Sequence, residues 1–217
     1  MKILSGISVL ALLMAGAVTP SFATLLSPGQ TVVPGSTSGS FFPVTPVLIE
    51  PYSATPASGP ADTGTVLTQV GTFTGNPFGA NDLTFLYEVQ VTSGDMARVT
   101  TSDFSGFNVD VAQVPVGGST NAAVSADMNN LGVVGFNFTP PIGNELGPGM
   151  ETYLLIVNTN ATSFVPGTIS VIDAATATVN GYAPAVAPEP SSLCLLGTGL
   201  LAAGAGFRRR MRFAAKK

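Results

Sequence analysis

The residues that usually carry enzymatic chemistry are nearly absent from this chain. It has no histidine, no tryptophan and a single cysteine, Cys194. Without histidine a Ser-His-Asp triad cannot be assembled, and a Cys/His pair is equally excluded. Cys194 lies in an apolar run near the C-terminus, where it reads as a small apolar filler. A zinc site fails for the same want of ligands. Carboxylates are the only plentiful titratable groups. Glycoside hydrolysis needs two of them across a cleft, but scattered acids make a chance pair easy. Asp62-Thr63-Gly64-Thr65 matches the aspartic-protease triplet by letter. That chemistry takes two such aspartates sharing a proton, and no second Asp-Thr-Gly is present, so the triplet reads as a turn opening the first core strand. Oxygens for calcium are offered by Asp127-Met128-Asn129-Asn130 and by the stretch from Asp103 to Asp110. Neither matches an EF-hand loop; solvated acidic loops are the plainer account, and no cofactor is expected. Asn160-Ala161-Thr162 fits a glycosylation sequon.

The placement of charge narrows the partners. Of eight bases, Lys2 stands at the start, Arg208, Arg209, Arg210, Arg212, Lys216 and Lys217 at the end, and Arg98 alone between. Residues 24–187 hold all of the 12 acids but Glu189, so 11 acids face one base, a net of −10. Nucleic acid, which is bound through clustered Lys and Arg, is excluded as a partner, and so is electrostatic docking to anionic lipid. This middle segment contains no cysteine and therefore no disulfide.

The two ends read as addresses. Met1-Lys2 is a short positive region, Ile3–Val18 is apolar, and Ser21-Phe22-Ala23 puts small residues three and one before a cut. That is the layout of a secretory signal peptide over 1–23, cleaved between Ala23 and Thr24 by signal peptidase. At the other end Pro188-Glu189-Pro190 leads into an uncharged span, about 191–207, closed by Arg208-Arg209-Arg210-Met211-Arg212. As helix those 17 residues cover about 26 Å, enough for a thin bilayer. The arginines mark its cytoplasmic flank, which leaves the middle segment on the far side. The small pairs Gly199/Ala203 and Ala202/Gly206 suit close helix approach, though small residues are common throughout the span.

This tail, from Pro188 to about Arg212, closely resembles the PEP-CTERM sorting signal of exported Gram-negative bacterial proteins. The resemblance implies an exosortase, an integral-membrane transpeptidase-like enzyme, as processing partner. It implies that Pro188, Glu189 and Pro190 are the recognition motif, that the apolar span holds the precursor in the inner membrane, and that Arg208, Arg209, Arg210 and Arg212 fix its orientation. The destination it implies is the cell surface or the exopolysaccharide matrix of a biofilm.

Between the addresses the pattern is β. Leu83, Phe85, Tyr87, Val89 and Val91 alternate with Thr84, Leu86, Glu88, Gln90 and Thr92, the period of a strand. Shorter strands are expected around Val66–Val70, Ala97–Thr100, Phe107–Val111, Val134–Phe138, Ile169–Ile172 and on to Val179, with Tyr153–Val157 as a continuous apolar central strand. Turns fall at Gly75-Asn76-Pro77, Ser93-Gly94-Asp95 and Gly117-Gly118. Seven prolines between 24 and 60 predict an extended arm or edge strand over 24–61, with Phe41-Phe42 and Val47-Leu48-Ile49 packing on the domain. The expected organisation is a signal peptide at 1–23, this arm at 24–61, an antiparallel β-sandwich ectodomain at 62–182, a linker at 183–187 and the sorting tail at 188–217. The function expected first is a non-enzymatic surface or matrix protein. The rivals are a polysaccharide-binding module using Tyr52, Tyr87, Tyr153 and Tyr182 with acidic loops and calcium, and a carboxylate hydrolase. An exposed tyrosine cluster favours the binding module, and a deep pocket with two perturbed acids favours the hydrolase.

Overall fold

A computed structural model of the chain describes residues 24–117, 119, 121–138 and 145–186. All regular structure among them is β, in two antiparallel sheets. The signal peptide expected at 1–23 and the helix expected at about 191–207 lie outside the described residues. Among the described residues no helix is long and apolar enough to cross a membrane. The compact unit ends at Val186.

The first sheet is built on a long hairpin, β5 (Asp62–Phe73) and β6 (Leu83–Ser93). β11 (Leu154–Thr159) lies beside β6, β8 (Val109–Val114) beside β11, and β1 (Thr24–Leu26) closes that edge. The opposite edge of β5 is shared end to end by β3 (Phe41–Pro43) and β4 (Leu48–Ala54). The second sheet runs β13 (Thr176–Ala185), β12 (Ser163–Ile172), β7 (Arg98–Thr101), β10 (Val134–Asn137), β9 (Ser125–Met128) and β2 (Thr31–Val32).

Side-chain alternation decides what each sheet buries. On β6 the odd positions Leu83, Phe85, Tyr87, Val89 and Val91 enter the main core, joined by Val66 and Val70 of β5, Val109 and Val111 of β8, and Leu155 and Val157 of β11. From the second sheet Val99, Ala126, Met128, Val134, Phe136, Ile169 and Val171 enter the same cluster. One apolar core therefore draws on faces of both sheets, as two-layer packing requires. Phe104, from the β7–β8 turn, meets Phe85 edge to face at 5.3 Å between ring centres.

The other face of the first sheet is also covered. Leu86, Ala112, Val114, Val116, Leu154 and Ile156 form a second apolar cluster against which Phe41 packs. Burial on both faces explains why β11 reads as an unbroken apolar run instead of an alternating one.

The cover comes from the proline-rich segment. Its prolines keep it on sheet edges, where a missing N–H costs nothing: Pro43 lies in β3 and Pro51 in β4. The strands of this segment lie at sheet edges and belong to both sheets. Pro166 obeys the same rule, because β12 pairs with β7 only from Ile169 onward and its earlier half is a free edge. β13 runs to Ala185, three residues beyond the expected end of the body at 182. β9 arises where the sequence suggested an oxygen-rich loop, and its Ala126 and Met128 turn inward.

Candidate functional site

Three polar constellations stand out in the body, each placed by strand register. The first is on the outer face of the second sheet. Arg98 of β7 reaches diagonally across β10 to Asp127 of β9, with its Nη2 2.7 Å from Oδ1 and its Nη1 bonded to Oδ2. Nη1 also donates to Oδ1 of Asn137, whose amide in turn donates to Asp127. The guanidinium lies directly over Gly135, where a Cβ would fall 2.0 Å from Nη2. The hydrogen bonds from Arg98 hold the Asp127 carboxyl below its ordinary range. The one base of the middle segment is thus paired with an acid. The fork is also the single ion pair among the described residues. Around it the face is hydroxyl- and amide-rich. Ser102 bonds Thr168, Ser170 bonds Thr178, and Asn137 bonds Ser125. The result is a flat polar surface whose side chains are tied into cross-strand rungs.

The second constellation is a shallow depression on the outer face of the first sheet. It is lined by Val47, Leu67, Thr68, Gln69, Leu86, Glu88 and Leu154, and its free volume of about 10 Å³ admits about one water. Glu88 is only 8% exposed, and its carboxylate takes no hydrogen bond from the described residues, while the Gln69 amide is held by the Thr45 carbonyl at 3.1 Å. Burial raises the Glu88 pKa, and the charge of Glu151 raises it further.

The third is a buried chain of polar groups beside that depression. The Asn76 amide donates to the Thr84 hydroxyl and to the Thr159 carbonyl. Thr84 donates to Asn158 at 2.8 Å, and Asn158 donates to Oδ1 of Asp110 at 2.8 Å. Asp110 is 1% exposed, and its Oδ2 has no hydrogen-bond partner among the described residues. Burial raises its pKa against the opposing effect of Asn158.

The residues singled out from sequence distribute as follows. Tyr52 and Tyr87 are core residues, 4% and 1% exposed. The Tyr87 hydroxyl accepts from Thr101, and desolvation drives its pKa far up. Burial, reinforced by the charge of Asp62, pushes the Tyr52 hydroxyl to about 12. Tyr182 packs edge to face on Phe164 at 5.5 Å. Two of the four tyrosines are therefore withdrawn from any sugar platform. Asp62-Thr63-Gly64-Thr65, expected as a turn, is instead the start of strand β5 itself, paired with β4; Asp62 is buried, with Oδ1 accepting from the Asp95 amide. Of the two oxygen-rich stretches, Asp127 is engaged by Arg98, and Asn129 Oδ1 accepts from the amides of Leu131 and Val133. Among the described residues no group of three or more acidic or thiolate side chains is close enough to hold a metal. Asn160 of the sequon is exposed and accepts from the Asn108 amide.

Glu88 was not singled out in the sequence, and Asp110 only as the end of an oxygen-rich stretch open to calcium. Both sit at polar positions of alternating strands, which ordinarily face water. The available signal was the apolar content of the proline-rich segment, which had to cover something. Pro188, Glu189, Pro190, Arg208, Arg209, Arg210 and Arg212 lie outside the described residues, as does Ala23. Thr24 is the first residue of β1.

No curated protein and no solved structure matches the chain. A family model, the PEP-CTERM protein-sorting motif, matches residues 186–210. It begins where the compact β unit ends and takes in the Pro-Glu-Pro triplet, the apolar span and the first three arginines. The chain carries a PEP-CTERM protein-sorting motif, which makes it a protein exported and sorted through its C-terminus, and its described residues form an all-β body.

Proposed function

We propose that this is a non-enzymatic structural protein of the cell surface or extracellular matrix of a Gram-negative bacterium. The observation that carries the reading is the sorting motif at residues 186–210. Signal peptidase removes residues 1–23 after export. The uncharged span then holds the precursor in the inner membrane, with Arg208, Arg209, Arg210 and Arg212 on the cytoplasmic side. Exosortase reads Pro188, Glu189 and Pro190 and releases the body, a β-sandwich, to the surface or the exopolysaccharide.

Several features of the body support a structural role. Arg98 is neutralised by Asp127, so it is a poor stabiliser of a developing anion. The depression at Glu88 has room for about one water, far below the volume of a sugar or peptide site. Burial of Tyr52 and Tyr87 weakens the tyrosine-based carbohydrate reading. The Ser, Thr and Asn rungs on the second sheet suit contact with hydrated polymer without a defined pocket. The test is to incubate the mature protein with polysaccharide and peptide panels, with and without calcium. No turnover is expected. Turnover abolished by Glu88→Gln or Asp110→Asn would replace this reading with a carboxylate hydrolase.

A further inference from the structure

Asp110 poses a problem that the body alone does not solve. Its carboxylate is buried, one oxygen is used by Asn158, and the other has no partner. A buried carboxylate with an unused oxygen is costly unless a cation or donor reaches it. The surrounding elements supply no cation. β11 faces it with Asn158, β1 with Leu25, and the segment 33–37 has no charged residue. Arg98, the body's one base, is committed to Asp127 on the other sheet.

Register shows what stands close. Leu25 of β1 lies directly opposite Asp110 on β8, and Thr24 lies opposite Val111. Cross-strand neighbours stand about 4.5–5.5 Å apart and successive Cα atoms 3.8 Å. The diagonal from Thr24 to Asp110 is then about 6 Å between Cα atoms, which an α-amino group and an aspartate side chain can close between them. Next to β1, the same edge of β8 meets a different segment. Beyond Val111 that edge is occupied by Gly35, which bridges to Ala112, donates its N–H to the Val111 carbonyl at 3.3 Å and accepts from the Gln113 N–H at 2.8 Å.

We infer that the α-ammonium group of Thr24, created when residues 1–23 are removed, is the counter-ion of Asp110, so that export cleavage completes an ion pair that fastens β1 to β8. Hydrolysis of the Ala23–Thr24 peptide bond adds one water, giving a carboxylate on Ala23 and an amine on Thr24 that is protonated at neutral pH. While the bond is intact, position 24 offers a neutral amide and Asp110 has no cation. After cleavage the ammonium reaches the free oxygen, and the chain Asn76–Thr84–Asn158–Asp110 gains a charged end at the sheet edge. Precursor and mature protein then differ in how firmly their first strand is held.

The inference rests on the Ala23–Thr24 cut, and the experiment separates the two. The body, residues 24–186, contains both sheets and their shared core, so it is prepared with Thr24 as its first residue by cleaving a fusion. The comparison is the same body with one serine preceding Thr24. The native start is expected to melt higher by about 5 °C or more at pH 6.5. That difference should vanish in Asp110→Asn and should shrink above pH 8 as the amine loses its proton. The α-amine of Thr24, titrated by NMR, should have a pKa above its ordinary value of about 7.7–8.0. If Asp110→Asn does not fold, the serine extension and the titration still decide. An ordinary α-amine pKa, or an extension equally well tolerated with and without the Asp110 carboxylate, would overturn the ion pair. A cut elsewhere in the cell would overturn only the biological route to it, and N-terminal sequencing of the native protein reads that separately.

Discussion

Replacing Glu88 by glutamine should stabilise the body at neutral pH. Glu88 sits among Val47, Leu67, Leu86 and Leu154, 8% exposed, its carboxylate without a hydrogen bond among the described residues. Its pKa is raised by burial and then by Glu151. A carboxyl whose folded pKa lies above its unfolded value binds a proton more tightly when folded. Its charge therefore costs nothing below the unfolded pKa, costs progressively more as pH rises through the folded pKa, and is fully unfavourable above it. An unpaired buried polar group costs about 1–3 kcal/mol. The depression lets about one water approach the carboxylate, which places Glu88 near the low end, about 1 kcal/mol. For a body of this size 1 kcal/mol moves Tm by about 2–4 °C. Thermal unfolding of wild type and Glu88→Gln should differ by that much at pH 7.5, with the variant higher, and should coincide near pH 4. Glu151→Gln should give a smaller gain of the same sign. If Glu88→Gln instead lowers Tm at pH 7.5, Glu88 is engaged by a cation, and the picture of an unpaired carboxylate is wrong.

Other consequences are open to direct test. Phe136→Ala empties a fully buried position where β10 meets the shared core and should cost about 3–5 kcal/mol in denaturant unfolding. Arg98→Met and Asp127→Asn should each destabilise, and a double-mutant cycle should return a coupling of about 1 kcal/mol for a bidentate, part-buried pair. Because the Asp127 pKa is lowered by Arg98, that contribution is present above the unfolded pKa and should fade as pH falls through the folded one. Gly135→Ala should weaken the same fork by driving a methyl group into the guanidinium, and its effect should disappear in the Arg98→Met background. Glu189→Ala should leave the precursor in the inner membrane with residues 191–217 attached, read as retained mass in the membrane fraction; normal maturation of this variant would favour a permanent single-span anchor.

How far the sequence reveals the fold depends on the element. β6 was legible because apolar and polar residues alternate along it except at Leu86, and β11 because the apolar run Tyr153–Val157 suits a strand buried on both faces. β1, β2 and β9 were not. The first two are two or three residues long and owe their existence to partners distant in sequence, Val109–Val111 and Ala126–Asp127. β9 was hidden because Ser125, Asp127 and Asn129 look like loop chemistry until Arg98, 29 residues away, claims the aspartate. The site was legible where function is written locally, as in the Pro-Glu-Pro tail. It was illegible at Asp110 and Glu88, because alternation says only that a residue faces away from one core. It cannot say that residues 33–47 will cover the other face.

The central claim is that this all-β body is delivered by two cuts, and the intact mass of the protein recovered from the cell surface or medium tests it most directly. A mature species beginning at Thr24 and lacking the apolar span and arginine cluster is the predicted result. A surface species that begins at Met1, or one that still ends at Lys217, would contradict it.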